Sequence, residues 1–587
     1  MEWFYSEEKN VQVLLALLKA HNIKRVIASP GSTNVCIVAS MQSDPYFEMY
    51  SCVDERSAAY MACGIAEETG EPVVLSCTGA TSSRNYMPAM TEAFYRKLPI
   101  IAITSSQMSE RIGHLIPQVT DRRSLPADIV LTSVQVPPVK LNEDIWNCSI
   151  QINKALTECR RRGGGPVHIN LETRYSKNFN IKVLPTVQVI KRIEYKDSFP
   201  TLPITKTAIF IGSHRTLTPE ENNTIDKFCS IYDAIVLYEM TSGYNGNYGV
   251  KYDLIAAQEY SNSSLKQFGL LIQIGEMAGA DFFSQLKPQR VWRVNQDGEI
   301  RDTFKKLEYV FEMDEFTFFK HYNQLKTDTG NHSLLDTYTN AFKEMEHKLG
   351  NSNLPFSNIW IAYILSKKLP KNSEIHAGIM NSFRAWNLFE LPQNTNSFCN
   401  VGGYGIDGCV SSMIGASLIH PDKIYFGIFG DLAFFYDLNI LGNHHIRNNV
   451  RILLVNNGKG NEFHNDTQPW SQFGDKVDCY GAAGGHFGCK SPTLVKEFVT
   501  NLGFEYLSAT NKEEFLNQID KFIAPTLTER PLVFEVFTNG DDDSTAYKIL
   551  RHISVDSKEE IKGIIKNGIR KSLGDTKSRI LADLLKK

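Results

Sequence analysis

No apolar run in the 587-residue sequence approaches the roughly 20 residues a helix needs to cross a bilayer, so a membrane span is not expected. An excess of charge of one sign is missing too. Against 62 Lys and Arg stand 65 Asp and Glu, and the net charge of −3 gives no electrostatic case for nucleic acid or an anionic membrane surface. Eleven cysteines form no CxxC pair and no metal-ligand spacing, which argues against a disulfide framework and reads as reduced thiols. The opening MEWFYSEEKN is acidic and lacks the basic-then-apolar layout of a signal peptide, so the expected site of action is the cytoplasm.

What is present is a chain too long for one core, with length for about three or four domains. Short β-branched runs alternate with amphipathic helical stretches in three segments, which predicts an α/β protein with parallel sheets. The first segment has a helix from Val11 to His21, the strand Arg25 to Ala28 and the turn Ser29-Pro30-Gly31-Ser32, and closes near the strand Val167 to Asn170. An aperiodic stretch reads as a linker. The second segment opens with the strand Ala208 to Ile211, and the third carries the strands Ile424 to Phe429 and Arg451 to Val455. A lysine-rich stretch after Asp541-Asp542-Asp543 is helical by pattern and reads as a packing or oligomer-contact helix.

Chemistry concentrates in the third segment. There an apolar strand ends in Gly430-Asp431, and 26 residues after Asp431 stands Asn457, just past another apolar strand, in Asn456-Asn457-Gly458-Lys459-Gly460. Ligands of an open parallel sheet bind outside the carboxyl ends of its strands. Two neighbouring strands would thus bring a carboxylate and a carboxamide oxygen together. Magnesium takes hard oxygen ligands and is commonly shared with phosphates. Asp431, Asn457 and a loop carbonyl would leave positions for two phosphate oxygens and a water. A helix expected from Leu432 to Leu441 would add its positive dipole end. Taken alone, a Gly-Asp after a strand is common. In the first segment Glu55, in Cys52-Val53-Asp54-Glu55-Arg56, leads into a small-residue helix, where a carboxylate can equally be an N-terminal stabiliser and nothing more.

Together these segments resemble the thiamine-diphosphate-dependent decarboxylase and carboligase family, and within it the SEPHCHC-synthase-like (MenD-like) branch. The residues that carry the resemblance are Ser29 to Ser32, Asp54-Glu55-Arg56, NVGGYGIDG from Asn400 to Gly408, Gly430-Asp431-Leu432-Ala433 and Tyr436-Asp437-Leu438-Asn439. Leu432, where most of the wider family has glycine, points to that branch.

The resemblance implies a pyruvate-decarboxylase-like fold of three domains, each a largely parallel sheet with helices on both faces. These are a pyrimidine-binding domain over 1–175, a linker over 176–204, a central domain over 205–332, a diphosphate-binding domain over 333–540 and a helical C-terminal tail over 541–587. It also implies thiamine diphosphate and Mg2+ as cofactors, and a homodimer or homotetramer with active sites at the subunit interface. By resemblance, Glu55 hydrogen-bonds the aminopyrimidine and activates the cofactor, which is general acid–base work. Asp431, Asn457 and the carbonyl of Lys459 match the metal ligands. Ile406 matches the bulky residue that props the cofactor. Asn381 and Ser382, with Gly430, Leu432 and Ala433, match the diphosphate surroundings. Phe463 either covers the cofactor or packs in the core.

Where that branch holds multiply charged substrates with arginines, this chain has other residues. Thr33-Asn34 follows Ser29 to Ser32, Thr104-Ser105-Ser106-Gln107 ends a strand, Val401 follows Asn400, and Glu276-Met277 occupies a central loop. A guanidinium is the natural bidentate partner of a carboxylate, so their loss predicts a smaller or differently charged 2-oxo acid, pyruvate being the simplest. His114 and Gln118, in the stretch that ends with Arg122-Arg123, are candidates for proton transfer or carbonyl contact. His464 and Arg384 are weaker candidates. Gly212-Ser213-His214-Arg215 is not a clean nucleotide loop, and FAD is not expected. The expected activity is a carboligase joining the acyl unit of a 2-oxo acid to a small-molecule acceptor. A simple decarboxylase releasing an aldehyde is the alternative, and a non-catalytic cofactor-binding scaffold is a third reading.

Overall fold

A computed structural model describes residues 3–259, 263–326, 332–465, 468–486 and 490–554. The expected tail beyond residue 554 lies outside the described residues. The chain divides into two compact units, Met1–Phe199 with Gln296–Glu312, and Pro200–Asn295 with Met313–Lys587.

The first unit is built on the strands β1 (Arg25–Ala28), β2 (Glu48–Ser51), β3 (Val73–Cys77), β4 (Ile100–Ser106), β5 (Thr132–Val136) and β6 (Val167–Glu172). They pair in parallel in the order β2-β1-β3-β4-β6-β5. Side chains of a strand alternate between faces, and here both faces are covered. Val26, Val74, Ile101 and Ile103 pack on one side with Leu14, Leu17 and Leu18 of the helix Lys9–Ala20. Ile27, Val73, Leu75 and Ile100 pack on the other with Ala58, Ala59 and Ala62 of the helix Glu55–Thr69. Alanines on that helix let it lie close to the sheet. Asp54 caps it by accepting from the Ser57 N–H at 2.8 Å, and Gly70, in the left-handed region at φ 65°, ends it.

The stretch read as a linker contains one short strand, β7 (Lys191–Glu194). With charged Lys191, Arg192 and Glu194 around a single apolar residue, Ile193, it has no apolar run for the sequence pattern to show.

The second unit holds β8 (Thr207–Ile211), β9 (Ile235–Tyr238), β10 (Gly249–Val250), β11 (Gln267–Ile274) and β12 (Lys287–Val294), parallel in the order β10-β9-β8-β11-β12. The strand β13 (Leu307–Glu312) belongs to the first unit, where it pairs in parallel with β7. Arg161, also in the first unit, gathers Glu158, Glu299 and Glu312 within 3.3 Å.

The third sheet lies wholly in the second unit. Its strands are β14 (Glu374–Ala377), β15 (Asn396–Cys399), β16 (Tyr425–Gly430), β17 (Val450–Asn456), β18 (Glu505–Ala509) and β19 (Leu532–Phe537). They run parallel in the order β15-β14-β16-β17-β19-β18. Read strand for strand, this is the order of the first sheet. In both, the second strand in sequence lies on one side of the first and the third on the other, so the carboxyl ends of β1 and β3, and of β14 and β16, flank a topological switch point. At the root of β17, buried Arg451 caps the carbonyls of Phe522, Ala524 and Thr526 at 2.5–2.7 Å and fixes the chain that returns into β19.

One buried titratable group makes the first unit sensitive to acid. His168 on β6 is enclosed between the hydroxyls of Thr104 (2.7 Å) and Ser133 (2.8 Å). Burial, with Arg122 nearby, pushes its pKa down to about 3. The folded state therefore keeps His168 neutral where the unfolded chain, with an ordinary value near 6.5, takes up a proton. Between about pH 6.5 and 3 the unfolded state binds more protons, so stability falls as pH falls, by up to about 1.4 kcal/mol per pH unit from this group. A His168→Gln protein should lose that slope. Melting temperatures of the two proteins from pH 7 to 5 check this, and parallel curves would count against it.

Candidate functional site

The carboxyl ends of β16 and β17 stand side by side, with Gly430 in register with Val455. Asp431 follows at once and is buried to 4% exposure. It opens the helix Asp431–Tyr436, and its Oδ1 accepts from the Leu432 N–H at 2.9 Å. That helix is six residues long, shorter than the span Leu432 to Leu441 expected from the pattern, and a 3-10 turn over Leu438–Gly442 follows it. Asp437 is the reason: its carboxylate leaves the helix to bind the backbone and hydroxyl of Ser411. A helix so short contributes little macrodipole.

The loop after β17 is held from below. Asn456 donates to Glu535 on β19 at 2.7 Å and accepts from the Gly458 N–H at 3.1 Å. Gly458 turns the chain at φ 77°, a conformation that favours glycine. Asn457 then projects beside Asp431. Its Nδ2 donates to Asp543 Oδ2 at 3.0 Å, and its Oδ1 accepts from the Lys459 N–H at 3.3 Å. Asp543 lies in the first turn of the helix Gly540–His552 and also accepts from the Asn358 N–H at 2.7 Å and from the Thr538 hydroxyl at 3.3 Å. Burial raises its pKa above the usual carboxylate range. Burial likewise pushes Asp431 up to about 7, against hydrogen bonds from the Leu432 and Gly458 N–H groups and with Asp543 adding repulsion.

These residues line a cavity of about 490 Å³ at the switch point of the third sheet. Its walls include Asn381, Ser382, Tyr404, Ile406, Leu432 and Phe463. Met380, just before the helix Asn381–Asn387, sits at φ 69° and ψ −125°, a costly backbone for a side chain with a Cβ. Thus Gly430, Asp431, Leu432, Ala433, Asn457, Lys459, Asn381, Ser382, Ile406 and Phe463, all expected at one site, do meet at one cavity. The donor set suits a diphosphate-bound Mg2+. A buried carboxylate, Asp431, a half-buried one, Asp543, and the Asn457 carboxamide lie together, while the Lys459 ammonium turns to Asp478 at 3.0 Å. A divalent cation among hard oxygens relieves that arrangement, and the volume is that of an ordinary cofactor pocket.

The two weaker candidates are engaged. Arg384 pairs with Glu462 at 2.5 Å, and His464 pairs with Asp478 at 2.5 Å. Glu462 also accepts from Gln468 at 2.9 Å and Asn465 at 3.2 Å. Oriented with its nitrogen toward Glu462, the Asn381 carboxamide joins them at 2.9 Å.

In the first unit, Glu55 is half-buried at the start of its helix and accepts from Asn85 Nδ2 at 3.0 Å. His114 and Gln118 are exposed on the loop between β4 and β5, Gln118 at φ 63°. Arg122 and Arg123, read together from the sequence, part company. Arg123 is exposed and holds Asp121 at 2.7 Å, whereas Arg122 is 3% exposed.

Residues 9–125 match the family model described as thiamine pyrophosphate enzyme, N-terminal TPP binding domain. The chain belongs to the thiamine-diphosphate-dependent decarboxylase and carboligase family, whose members use thiamine diphosphate with a divalent metal such as Mg2+. Its similar relatives include the 2-succinyl-5-enolpyruvyl-6-hydroxy-3-cyclohexene-1-carboxylate synthase of Phocaeicola vulgatus, 31% identical over 93% of this chain and 99% of that one. The synthase of the same name from Bacteroides thetaiotaomicron is 30% identical with the same coverage. The solved Rhodococcus jostii RHA1 thiamine diphosphate-dependent 4-hydroxybenzoylformate decarboxylase is 16% identical, with a TM-score of 0.40 over 91% of this chain and all of that one, and adds nothing to what the sheets show. Among the described residues no helix is long and apolar enough to cross a membrane.

Asp543 is the site residue that the sequence pattern concealed. It stands in an acidic triplet at a helix start, where any carboxylate is favourable, and only the fold shows that the third one turns inward. Loss of such a supporting residue typically costs roughly 10–100-fold in metal affinity. Asp543→Ala should therefore weaken Mg2+-dependent binding of thiamine diphosphate by about that factor in calorimetric titrations. Unchanged binding would mean that Asp543 does not set the position of Asn457.

Proposed function

We propose that this chain is a carboligase that decarboxylates a 2-oxo acid and joins the remaining acyl unit to a small-molecule acceptor. The observation that carries the reading is the cavity at the third sheet's switch point, with buried Asp431 and half-buried Asn457 at its strand-end wall. Asp431, the Asn457 carboxamide and the Lys459 carbonyl would hold Mg2+, which would supply positive charge to the diphosphate. Ile406 and Phe463 supply apolar wall. Glu55 hydrogen-bonds the aminopyrimidine and governs its protonation, and it acts in an assembly of at least two copies of the chain. Thiamine diphosphate, when bound, supplies the carbon nucleophile and the electron sink for decarboxylation.

The residues also favour substrates of low charge. Arg384 is matched by Glu462 and Lys459 by Asp478, so the cavity offers little unpaired positive charge to a polyanion. His114 and Gln118 stay in the reading as substrate contacts from the exposed loop. The relatives' shared name lends no support to a change of substrate. That part of the reading rests on Thr33, Asn34, Ser105, Ser106 and Val401, which stand where arginines were expected.

Glu55→Gln should bind thiamine diphosphate and Mg2+ as the unaltered protein does yet lose at least about 100-fold in carbon dioxide release, the scale of positioned acid–base catalysis. Near-normal release would remove Glu55 from this role. Product analysis with pyruvate and with 2-oxoglutarate, with and without aldehyde or keto acceptors, separates the alternatives. Aldehyde released at full rate without acceptor identifies a simple decarboxylase, and no carbon dioxide from any 2-oxo acid leaves a binding scaffold.

A further inference from the structure

One loop of the second sheet reaches the cavity at the end of the third. It follows β11, where Gly275 turns the chain at φ 73°. At its root the Glu276 N–H donates to the Ser213 carbonyl at 2.8 Å and the Ser213 N–H to the Met277 carbonyl at 3.2 Å, which ties it to the end of β8. Its tip is clamped by Glu239, the residue after β9. One carboxylate oxygen accepts from the Gly279 N–H at 2.7 Å and the other from the Ala280 N–H at 2.9 Å. Glu239 is 2% exposed. Burial, with Asp253 adding repulsion, pushes its pKa up to about 8, against the two N–H groups and Lys251. So enclosed a carboxylate is costly, and what it gains here is the fixed position of two backbone donors.

Gly279 is pressed against the cavity wall. A Cβ there would stand 2.6 Å from the Phe383 ring, on the helix Asn381–Asn387, and 2.8 Å from Val401, so only glycine lets the loop come this close. The Gly279 carbonyl accepts from the Tyr404 hydroxyl at 2.8 Å. Tyr404 lines the cavity, two residues before Ile406. Its backbone lies in the left-handed region at φ 56°, an outlier for a residue with a ring, although glycines stand on both sides of it. Strain of this kind persists where the surroundings over-determine the conformation. Here the surroundings are Glu239, the loop tip and the tethered hydroxyl, in that order.

We propose that Tyr404 decides which donors the cavity admits, as a backstop that leaves room for a 2-oxo acid with a narrow side chain, and that Glu239 is the positioning residue that holds it through Gly279. This rests on the carboligase reading above. The cavity of about 490 Å³ has to take the diphosphate end of the cofactor as well as the donor. A ring tethered by its hydroxyl cannot swing aside without breaking that bond, so a branched or aromatic side chain meets it.

Carbon dioxide release by the cofactor-loaded enzyme, with an aldehyde acceptor present, tests this. kcat/KM is compared between narrow donors, pyruvate and 2-oxoglutarate, and bulky ones, 4-methyl-2-oxopentanoate and phenylpyruvate. The unaltered protein should prefer the narrow donors. Tyr404→Ala should move the bulky-to-narrow ratio up at least about 10-fold, the scale on which a few carbons in a pocket are discriminated. Tyr404→Phe, which keeps the ring and loses the tether, should move it less in the same direction. Glu239→Gln cannot accept from both N–H groups and should act like Tyr404→Phe, and the double variant should shift the ratio by less than the product of the two, since both break one chain of contacts. A merely structural role would lower kcat/KM for all donors alike and leave the ratio where it was. Affinity for thiamine diphosphate and Mg2+, followed by tryptophan fluorescence, should be unchanged. If Tyr404→Ala does not fold, Tyr404→Phe decides alone. An unchanged ratio in the folded Tyr404 variants, or a preference for phenylpyruvate in the unaltered protein, would overturn the assignment and leave the carboligase reading in place. A shift in the Tyr404 variants without one in Glu239→Gln would remove Glu239 from its role. No release from any of the donors would take down both readings.

Discussion

Everything chemical in this chain depends on parallel strand pairing. Parallel strands point their carboxyl ends the same way, so loops from distant parts of the sequence emerge along one edge of each sheet. β14, β16 and β17 are fixed in register by their ladders, and the loops that follow them have little choice about where they meet. Asn381, Asp431 and Asn457 converge for that reason. The cost is a carboxylate driven into a poorly solvated edge, and the fold meets it with donors: the Leu432 N–H for Asp431, and Asn457, the Asn358 N–H and Thr538 for Asp543.

The same strand order occurs twice, with different chemistry at the two switch points. In the third sheet the crevice is walled by carboxylates and amides and suits a cation. In the first it is walled by hydroxyls and a guanidinium. One backbone plan thus supplies both signs of charge, and loop residues choose between them. The two arrangements differ in support as well. Asn456 and Glu535 brace the loop after β17 through side chains on two strands, whereas Arg122 arrives on a long irregular loop and finds its place through Gly79.

Much of this was legible in the sequence. Strand, glycine, carboxylate, then strand and paired asparagines is a local pattern, and β16 and β17 lie within one residue of where their apolar runs placed them. Glu55 was legible for a similar reason, as a carboxylate at a strand-to-helix turn. Residues whose meaning depends on distant partners were not. Arg384 and His464 looked like free polar groups, and only folding brings Glu462 and Asp478 to them. Arg122 and Arg123 are neighbours of one type, and no period separates the buried one from the exposed one on an irregular loop. The helix after Asp431 was overestimated because its apolar residues continue past Asp437, whose side chain finds a better partner in Ser411.

The bond between Asn457 and Asp543 spans 86 residues. A ribosome delivers Asn457 long before it delivers this partner, and until the helix Gly540–His552 docks, the loop after β17 is held by Glu535 and Asp478 but lacks its bond to Asp543. The wall that Asp543 adds to the cavity is therefore among the last features of its unit to be completed during synthesis.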